Sequence, residues 1–369
     1  SAAPGHKTPR LTGCGDSTVR EVTRVLEEQA IKRGIQRNAD SIPLNIVSDN
    51  SQIRGVVTLD VPTGRIDAIQ TKAVILATEG HQGLWSKPSD GPGTGSALAI
   101  SAGIDLKGME ITSRHPLTIR DCGIHIPLDV LGSGGRIRRE NGDDVGPEEA
   151  LEGEPCVLDL RQMDADAKVW FSQTSMRIMD RLGIDISKDV IPLSPGVAYT
   201  TGGAPSDAQG RVVFQGHTTE GLPAELWHTG LYAAGRSAHT GMHGSNALPG
   251  NLLLDDLVSG KAAGEHASEW ATEIKIGGDT QIEEAVKEES ARISSIMRGD
   301  GMEVAKFHSK LTSAISSGSS DDASLAEVRA IKDTGIRLTD TSSVMNTEMV
   351  EALRLVGLAS IAEAILTSG

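Results

Sequence analysis

Apolar residues recur at two different spacings along the chain, and the spacing changes with position. Residues 17–34 carry Val and Leu at helical intervals, which predicts an amphipathic helix with one buried face. Short apolar runs at 42–47, 53–59 and 73–77 predict strands, and the composition of 60–64 predicts a turn between two of them. The first part of the chain therefore combines helix and sheet.

The pattern becomes less regular between residues 106 and 197. A run rich in Gly and Arg follows His115, an acidic loop occupies 140–154, and residues 164–182 have the spacing of an amphipathic helix. Strand-like runs resume from 191 to 213 and include a predicted turn at the Gly pair 202–203. We therefore predict a separate lobe inserted between two parts of one sheet domain.

Beyond residue 251 the pattern is almost entirely helical. Helices are predicted at 251–272, 281–297, 303–316, 323–335 and 346–367. In the last of them Leu358, Ile361 and Ile365 share one face, and residues 316–320 have the composition of a flexible linker. This part predicts an all-α domain.

The charge and the cysteines narrow the classes of function. The chain has 35 Lys and Arg against 50 Asp and Glu, a net charge of −15, which argues against a nucleic-acid partner. The three cysteines lie far apart, so neither a disulfide framework nor a metal site is predicted. No apolar run reaches the length of a membrane helix, and no signal-peptide pattern is found. A reducing, cytoplasmic environment is expected.

Residues 230–254 contain the densest candidate chemistry. They predict a short apolar strand, a Gly-rich loop and the start of a long helix. Gly244 and Gly250 permit backbone angles that other residues resist, and Asn251 is the predicted N-cap of the helix. A helix N-terminus suits an electron-rich or anionic group. The pattern alone leaves two interpretations open, a structural corner and a cofactor seat.

A second Gly-rich loop, at residues 91–95, precedes a helix of small residues predicted at 96–103. Its spacing differs from that of a dinucleotide-binding fingerprint, and no clear strand comes directly before it. On spacing alone the loop predicts a tight turn into a helix.

The order of motifs resembles the flavoprotein subunit of succinate dehydrogenase and fumarate reductase, and its relative L-aspartate oxidase. The likeness extends from Gly5 to the C-terminus. The motifs that carry it are Gly5-His6, Ile75-Leu-Ala-Thr-Glu-Gly80, Gly93-Thr-Gly-Ser-Ala97, Met109-Glu110 before His115-Pro116, Ile191-Pro192, Tyr199, Gly202-Gly203, Gly230-Leu-Tyr-Ala-Ala-Gly-Arg236, His243-Gly-Ser-Asn-Ala-Leu-Pro-Gly-Asn-Leu-Leu-Leu254, Asn346-Thr347-Glu348 and Glu351-Ala352-Leu353.

The resemblance implies an α/β plus all-α fold, in which an FAD-binding domain of the glutathione-reductase type carries an inserted capping domain and a C-terminal helical domain. The implied boundaries are 1–108 and 198–257 for the FAD-binding domain, 109–197 for the capping domain and 258–369 for the helical domain. The resemblance also implies a dicarboxylate substrate, iron–sulfur and membrane-anchor subunits as partners, and a peripheral position at the membrane through those subunits.

Site residues are implied by position in the matched motifs. The cofactor-binding residues are His6, Thr78, Glu79, Gly80, Gly93, Gly95, Gly235, Arg236, His243, Gly244, Asn251, Leu252 and Leu253. His115 is the implied catalytic residue, with a structural role beside Pro116 as the alternative. The helix that begins near Asn251 is expected to direct its N–H groups at the flavin.

Departures from the family pattern leave the activity open. The G-x-G-x-x-G strand and the His that attaches FAD are absent, so the chain is expected to begin after them. Pro127-Leu128, Leu131, Ala198, Arg236, Ala247 and Leu252 stand where the family has other functional residues, and the segment with the catalytic Arg is deleted between Val145 and Cys156. The implied function is succinate–fumarate interconversion in the tricarboxylic acid cycle and electron transport. The alternatives are L-aspartate oxidase and a divergent scaffold without catalysis.

Overall fold

The computed structural model describes residues 3–85, 91–152, 155–316 and 322–367. The helices are α1 (Thr18–Lys32), α2 (Thr94–Ser101), α3 (Pro147–Ala150), α4 (Ala165–Trp170), α5 (Ser172–Leu182), α6 (Asn251–Glu273), α7 (Thr280–Met297), α8 (Val304–Ser316), α9 (Asp322–Thr334) and α10 (Thr347–Thr367). The strands are β1 (Ser41–Asp49), β2 (Gln52–Asp60), β3 (Arg65–Gln70), β4 (Val74–Leu76), β5 (Thr112–His115), β6 (Arg136–Arg139), β7 (Asp144–Val145), β8 (Cys156–Asp159), β9 (Ile191–Leu193), β10 (Gly196–Thr200), β11 (Ala204–Pro205), β12 (Arg211–His217), β13 (Pro223–Ala233), β14 (Ala238–His239), β15 (Met302–Glu303) and β16 (Ile336–Arg337).

The main sheet has the order β1-β2-β13-β12, with β3 paired to β2 and β4 paired to β13. Strand β13 runs parallel to β2 and β4, whereas β1, β3 and β12 pair antiparallel. Alternate residues of β2 are buried, as expected for a strand with one face on the core. Val57 and Leu231 of this sheet share one apolar cluster with Leu355 of α10. The sheet and the C-terminal helices are thus packed on a common core.

A second apolar cluster is formed by residues that lie between β5 and β10 in the sequence. These two strands pair antiparallel, so the chain leaves and re-enters the main body side by side. Between them lie α3 to α5 and a sheet of order β7-β6-β8-β9, and their buried residues include Leu158, Ile178 and Ile191. The separate cluster supports an inserted lobe, and the boundaries at 109 and 197 stay a prediction.

The C-terminal helical pattern is confirmed. All five helices predicted from residue 251 onward are present within a few residues of their expected ends. Leu358 and Ile361 are fully buried, and Ile365 packs against the same core, so the predicted face of α10 is correct. Residues 317–320 of the predicted linker lie outside the described residues.

Four local expectations are corrected. Helix α1 forms, but its apolar face is open to solvent, with Val19, Val25 and Leu26 61, 45 and 56% exposed. The helix expected over 164–182 is divided at Phe171, which ends α4 and precedes α5.

The turn at 60–64 leads into β3, a strand that the sequence pattern missed because half of its residues are polar and its apolar run is short. The Gly pair 202–203 makes close approaches rather than a left-handed turn. A Cβ on Gly202 would lie 2.3 Å from the carbonyl oxygen of Gly108, and one on Gly203 would lie 2.4 Å from that of Ser237.

Candidate functional site

Helix α6 begins directly behind the Gly-rich loop, and its N-terminus has no side-chain cap. The prediction that Asn251 is the N-cap is wrong. Gly250 takes that position with a left-handed φ of 83°, and Asn251 is the first helical residue. The backbone N–H of Asn251 donates to the carbonyl of Leu248, 3.0 Å away. The next N–H groups of an uncapped helix can bind an anionic or electron-rich group.

Gly235 allows the turn after β13 to approach α6 closely. Its φ is +56°, and an added Cβ would lie 2.3 Å from Oδ1 of Asp256. The Gly235 N–H donates to the Ser259 hydroxyl at 2.8 Å. A side chain at position 235 would therefore push the turn away from the helix.

A small cavity lies where the end of β10, residues 235–244 and the first turns of α6 meet. Five of the predicted cofactor residues line it, namely Gly235, Arg236, His243, Gly244 and Leu252. Asn251 and Leu253 belong to the same turn of α6 without lining the cavity. We call this cavity the α6 pocket.

The predicted residues of the β4–α2 region form a neighbouring cluster. The N–H of Gly95 donates to Thr78 Oγ1 at 2.9 Å, and the N–H of Gly93 donates to the carbonyl of Gly80 at 3.0 Å. The Thr78 N–H donates to the Ser237 hydroxyl at 2.9 Å. Ser237 belongs to the turn that borders the α6 pocket, so the two groups of residues adjoin.

Arg236 forms ion pairs with residues of both the β4–α2 region and α6. Its Nη1 lies 2.9 Å from Oε2 of Glu79, and its Nη2 lies 3.5 Å from Oδ2 of Asp256. Burial raises the pKa of Asp256, and the positive charge of Arg236 opposes that shift. Among the described residues that line the pocket, Arg236 alone carries a Lys or Arg side chain.

His243 and Asp255 form a second polar pair in the pocket. Nε2 of His243 lies 3.1 Å from Oδ2 of Asp255, and the two side chains are 11 and 12% exposed. Both residues line the α6 pocket. The contact between His243 and Asp255 links the Gly-rich loop to the second turn of α6.

His6 lies against the loop that precedes α6. Its Nδ1 accepts a hydrogen bond from Nε of Arg10 at 2.9 Å, so Nε2 carries the hydrogen that the carbonyl of Pro249 accepts at 3.0 Å. The predicted cofactor residue at position 6 therefore supports the loop, and it does not line the pocket.

His115 lies at the end of β5 and does not line the α6 pocket. Its Nδ1 accepts the N–H of Leu117 at 3.1 Å, and its ring lies 5.4 Å from that of His125 between centroids. Burial, and then the neighbouring His125, lowers the pKa of His115 to about 3. The imidazole is thus neutral near pH 7 and offers no positive charge to a carboxylate. The catalytic role of His115 stays a prediction.

Sequence reasoning missed several residues of the site. Ser237, Thr201 and Asp255 are brought to it by the fold, and only Asp255 had a local signal, as an acid early in the helix after a Gly-rich loop. Thr201 Oγ1 is buried and has no hydrogen-bond partner among the described residues. Thr201 also lines the α6 pocket.

These features fit the ring end of FAD. The uncapped helix N-terminus, the left-handed Gly235 and the unpartnered Thr201 hydroxyl all border one cavity. The α6 pocket therefore offers hydrogen-bonding groups that suit the polar edge of a ring.

The chain is similar in sequence to two kinds of flavoprotein subunit. It is 26% identical to the fumarate reductase flavoprotein subunit of Escherichia coli, over 99% of the chain and 67% of that protein. It is also 26% identical to the succinate dehydrogenase flavoprotein subunit of Rickettsia bellii, over 95% of the chain and 65% of that protein. The chain thus spans about two thirds of the length of these relatives.

The fold is similar to that of a solved quinol-fumarate reductase with menaquinol molecules, with a TM-score of 0.87 and 24% identity over 100% of the chain and 71% of that structure. A quinol fumarate reductase of E. coli gives a TM-score of 0.86 with 23% identity, over 99% of the chain and 69% of that structure. The expected fold class is confirmed. A sequence profile described as FAD binding domain matches residues 1–253, which is more than half of the chain. The chain belongs to the FAD binding domain family, whose cofactor is FAD.

Proposed function

We propose that the protein interconverts succinate and fumarate as the flavoprotein subunit of a succinate dehydrogenase or fumarate reductase. The observation that carries the proposal is the likeness to a fumarate reductase flavoprotein subunit over 99% of the chain. The α6 pocket supports it, since it offers a seat for a flavin ring at an uncapped helix N-terminus. FAD supplies the hydride chemistry when it is bound.

Residues of this chain would bind and orient the cofactor. The N-terminus of α6 carries a partial positive charge and stabilises negative charge on a ring edge. Thr78, Gly95 and Ser237 fix the end of β4 and the start of α2 beside it. Gly235 lets the turn after β13 pack closely against α6. Together these groups would hold a flat ring at the helix N-terminus.

A dicarboxylate substrate needs cationic groups that can bind it. Two carboxylates call for forked cationic donors, and Arg236 already contacts Glu79 and Asp256. Each missing donor to a buried carboxylate costs roughly 2–5 kcal/mol of binding. This observation favours a second candidate, a flavin-binding scaffold that does not oxidise a dicarboxylate.

We also propose that the protein works with iron–sulfur and membrane-anchor subunits and lies at the membrane through them. None of the helices in the described part of the chain combines the length and apolarity that a bilayer span requires. Association with a membrane by this route needs a partner subunit.

The two candidates differ in the redox behaviour of bound flavin. The protein is purified together with any subunits that accompany it, and its flavin absorbance is followed without oxygen. The proposal expects bleaching by succinate and recovery with fumarate. Dithionite serves as the control reductant, because it reduces any bound flavin. Flavin that dithionite bleaches and succinate leaves oxidised contradicts the proposal and supports the scaffold.

A further inference from the structure

We propose that residues 5–17, the strap, couple the position of the inserted lobe to the loop 245–250 at the start of α6, and that Asp16 is the latch of the strap. One end of this segment contacts the loop, and the other end contacts the lobe. The coupling needs neither a bound ligand nor a reaction, so it goes beyond the proposed function.

Asp16 caps a helix of the inserted lobe. Within the described chain, α5 begins directly after Phe171, whose side chain makes no capping hydrogen bond. Oδ2 of Asp16 instead accepts the N–H of Thr174, in the first turn of α5, at 2.5 Å. Helix α4 has a local cap, because Asp164 directly before it accepts the N–H of Ala167 at 2.7 Å. The cap of α5 thus comes from a residue 158 positions away from Thr174.

Two further contacts join the strap to the lobe. Gly15 has a left-handed φ of +64°, and a Cβ there would lie 2.2 Å from the carbonyl oxygen of Trp170, the last residue of α4. A side chain at position 15 would therefore push the strap away from the lobe. Just beyond the strap, Nη1 of Arg20 donates to Oε1 of Gln173 at 3.2 Å. All of these contacts meet at the junction of α4 and α5.

The other end of the strap lies against the loop that leads into α6. Nε2 of His6 donates to the carbonyl of Pro249 at 3.0 Å. Gly250 follows, and a Cβ on it would lie 2.8 Å from Cδ2 of Leu11. The strap therefore contacts the last residues before the N-terminus of α6, which borders the α6 pocket.

The same loop also contacts a strand that leads out of the lobe. The hydroxyl of Tyr199, on β10, accepts the N–H of Ala247 at 2.9 Å and donates to Asn246 Oδ1. Strand β10 pairs with β5, and the inserted lobe joins the main body through these two strands. A movement of the lobe thus reaches the loop 245–250 both through β10 and through the strap.

Hydrogen–deuterium exchange of the purified protein, with any subunits that accompany it, tests the latch through Asp16→Ala and the matched control Asp164→Ala. Each change removes one capping carboxylate from a helix of the lobe, but the bond of Asp164 lies within the lobe. Loss of the cap is expected to speed exchange roughly 2- to 30-fold in the adjoining turn, 172–176 for Asp16→Ala and 165–168 for Asp164→Ala.

The signature of coupling is exchange in the distant loop. Asp16→Ala is expected to speed exchange in 245–250 as well, whereas Asp164→Ala leaves this segment at the unsubstituted rate. Asp16→Asn keeps an acceptor oxygen and is expected to restore both segments. Exchange in α10 is the reference for global stability and is expected to stay unchanged.

A second pair of variants does not change the carboxylate. Gly15→Ala and Gly34→Ala both place alanine at a left-handed φ, +64° and +65°. The new Cβ at Gly15 meets Trp170, whereas no described atom lies within 4 Å at Gly34. Gly15→Ala is expected to show the exchange pattern of Asp16→Ala, and Gly34→Ala that of the unsubstituted protein in both segments.

The coupling is also expected in the opposite direction, because coupling between two sites is reciprocal. His6→Ala removes the contact with Pro249 and is expected to speed exchange in 172–176, at the far end of the strap. His217→Ala is the matched control, since His217 is exposed at the end of β12, and it is expected to leave 172–176 unchanged.

Faster exchange in 172–176 alone, with 245–250 unchanged in both Asp16→Ala and Gly15→Ala, overturns the coupling and leaves Asp16 a structural cap. Unchanged exchange in 172–176 of Asp16→Ala overturns the latch itself. An equal effect of Asp164→Ala on 245–250 contradicts the strap, because any loosening of the lobe would then reach the loop without it. Succinate oxidation enters none of these measurements, so their failure leaves the proposed function intact.

Discussion

The side-chain oxygens of Thr78 and Ser237 lie 3.0 Å apart and join the end of β4 to the turn after β13. The Ser237 hydroxyl also accepts the Thr78 N–H at 2.9 Å and donates to the Thr78 carbonyl at 3.0 Å. Thr78 Oγ1 in turn accepts the N–H of Gly95 at the start of α2. One pair of small side chains thus connects three segments that carry predicted cofactor residues.

Ser237→Ala should lower stability clearly. Ser237 is 1% exposed, and its loss leaves the part-buried Thr78 N–H without its acceptor. An unsatisfied buried group costs about 1–3 kcal/mol. The free energy of unfolding in urea measures the effect. Ser101→Ala, on the exposed side of α2, is the control and should change it by less than about 0.5 kcal/mol. Equal effects of the two changes would contradict the bridging role of Ser237.

Gly235→Ala should destabilise the protein more than Gly244→Ala. Both glycines have φ of +56°, so both changes carry the cost of a left-handed alanine, about 1–2 kcal/mol. At Gly235 the new Cβ would also lie 2.3 Å from Asp256 Oδ1, whereas nothing lies within 4 Å at Gly244. The difference between the two unfolding free energies isolates the close approach. If the two variants unfold alike, α6 does not contact the turn as described.

Acid should weaken the inserted lobe through Asp159. A hydrogen bond from Arg161, with the charges of Arg161 and Arg138, lowers the pKa of Asp159 to about 2. The ordinary value is about 3.9. A lowered pKa in the folded state contributes stability that is complete above about pH 4 and is lost as the pH falls towards 2.

Asp159→Asn should therefore flatten the pH dependence of the melting temperature between about pH 4 and pH 2. It should also lower the melting temperature near pH 7, because Arg138 and Arg161 lose their shared partner. Asp105→Asn is the control, since its ion pair with Lys107 is exposed and contributes little. An unchanged acid profile for Asp159→Asn would refute the assignment.

Leu358→Ala should be strongly destabilising. Leu358 of α10 is fully buried, and its loss leaves a cavity in the core shared with the main sheet. Such changes cost roughly 2–5 kcal/mol. Leu254→Ala removes the same atoms from a side chain that is 57% exposed, and it should cost far less. Urea unfolding of both variants measures the difference, and a small loss for Leu358→Ala would contradict a common core.

The helices of the C-terminal part could be predicted because α7, α8 and α9 bury residues at helical spacing and α10 is apolar over most of its length. Strand β3 could not be predicted, since half of its residues are polar and none is fully buried. Helix α1 was predicted correctly, but the periodicity does not show that its apolar face stays exposed. Local patterns therefore predict which elements form better than they predict what those elements pack against.

The site shows the same limit. Gly244 and Gly250 could be identified because left-handed turns favour glycine, and both have positive φ. The hydrogen-bond partner of Thr78 could not be identified, because Ser237 is 159 residues away and a single serine has no recognisable sequence pattern. Asn251 was predicted as the N-cap because Asn favours that position, but Gly250 occupies it. Long-range contacts decide which predicted residues meet.

We propose that the α6 pocket holds the flavin ring. Hydrogen–deuterium exchange of the protein, measured with and without saturating FAD, tests this assignment. We predict that FAD slows exchange in residues 235–254 and in the neighbouring segments 76–80 and 93–97, with the inserted lobe largely unaffected. FAD binding that leaves exchange in these three segments unchanged would contradict the claim.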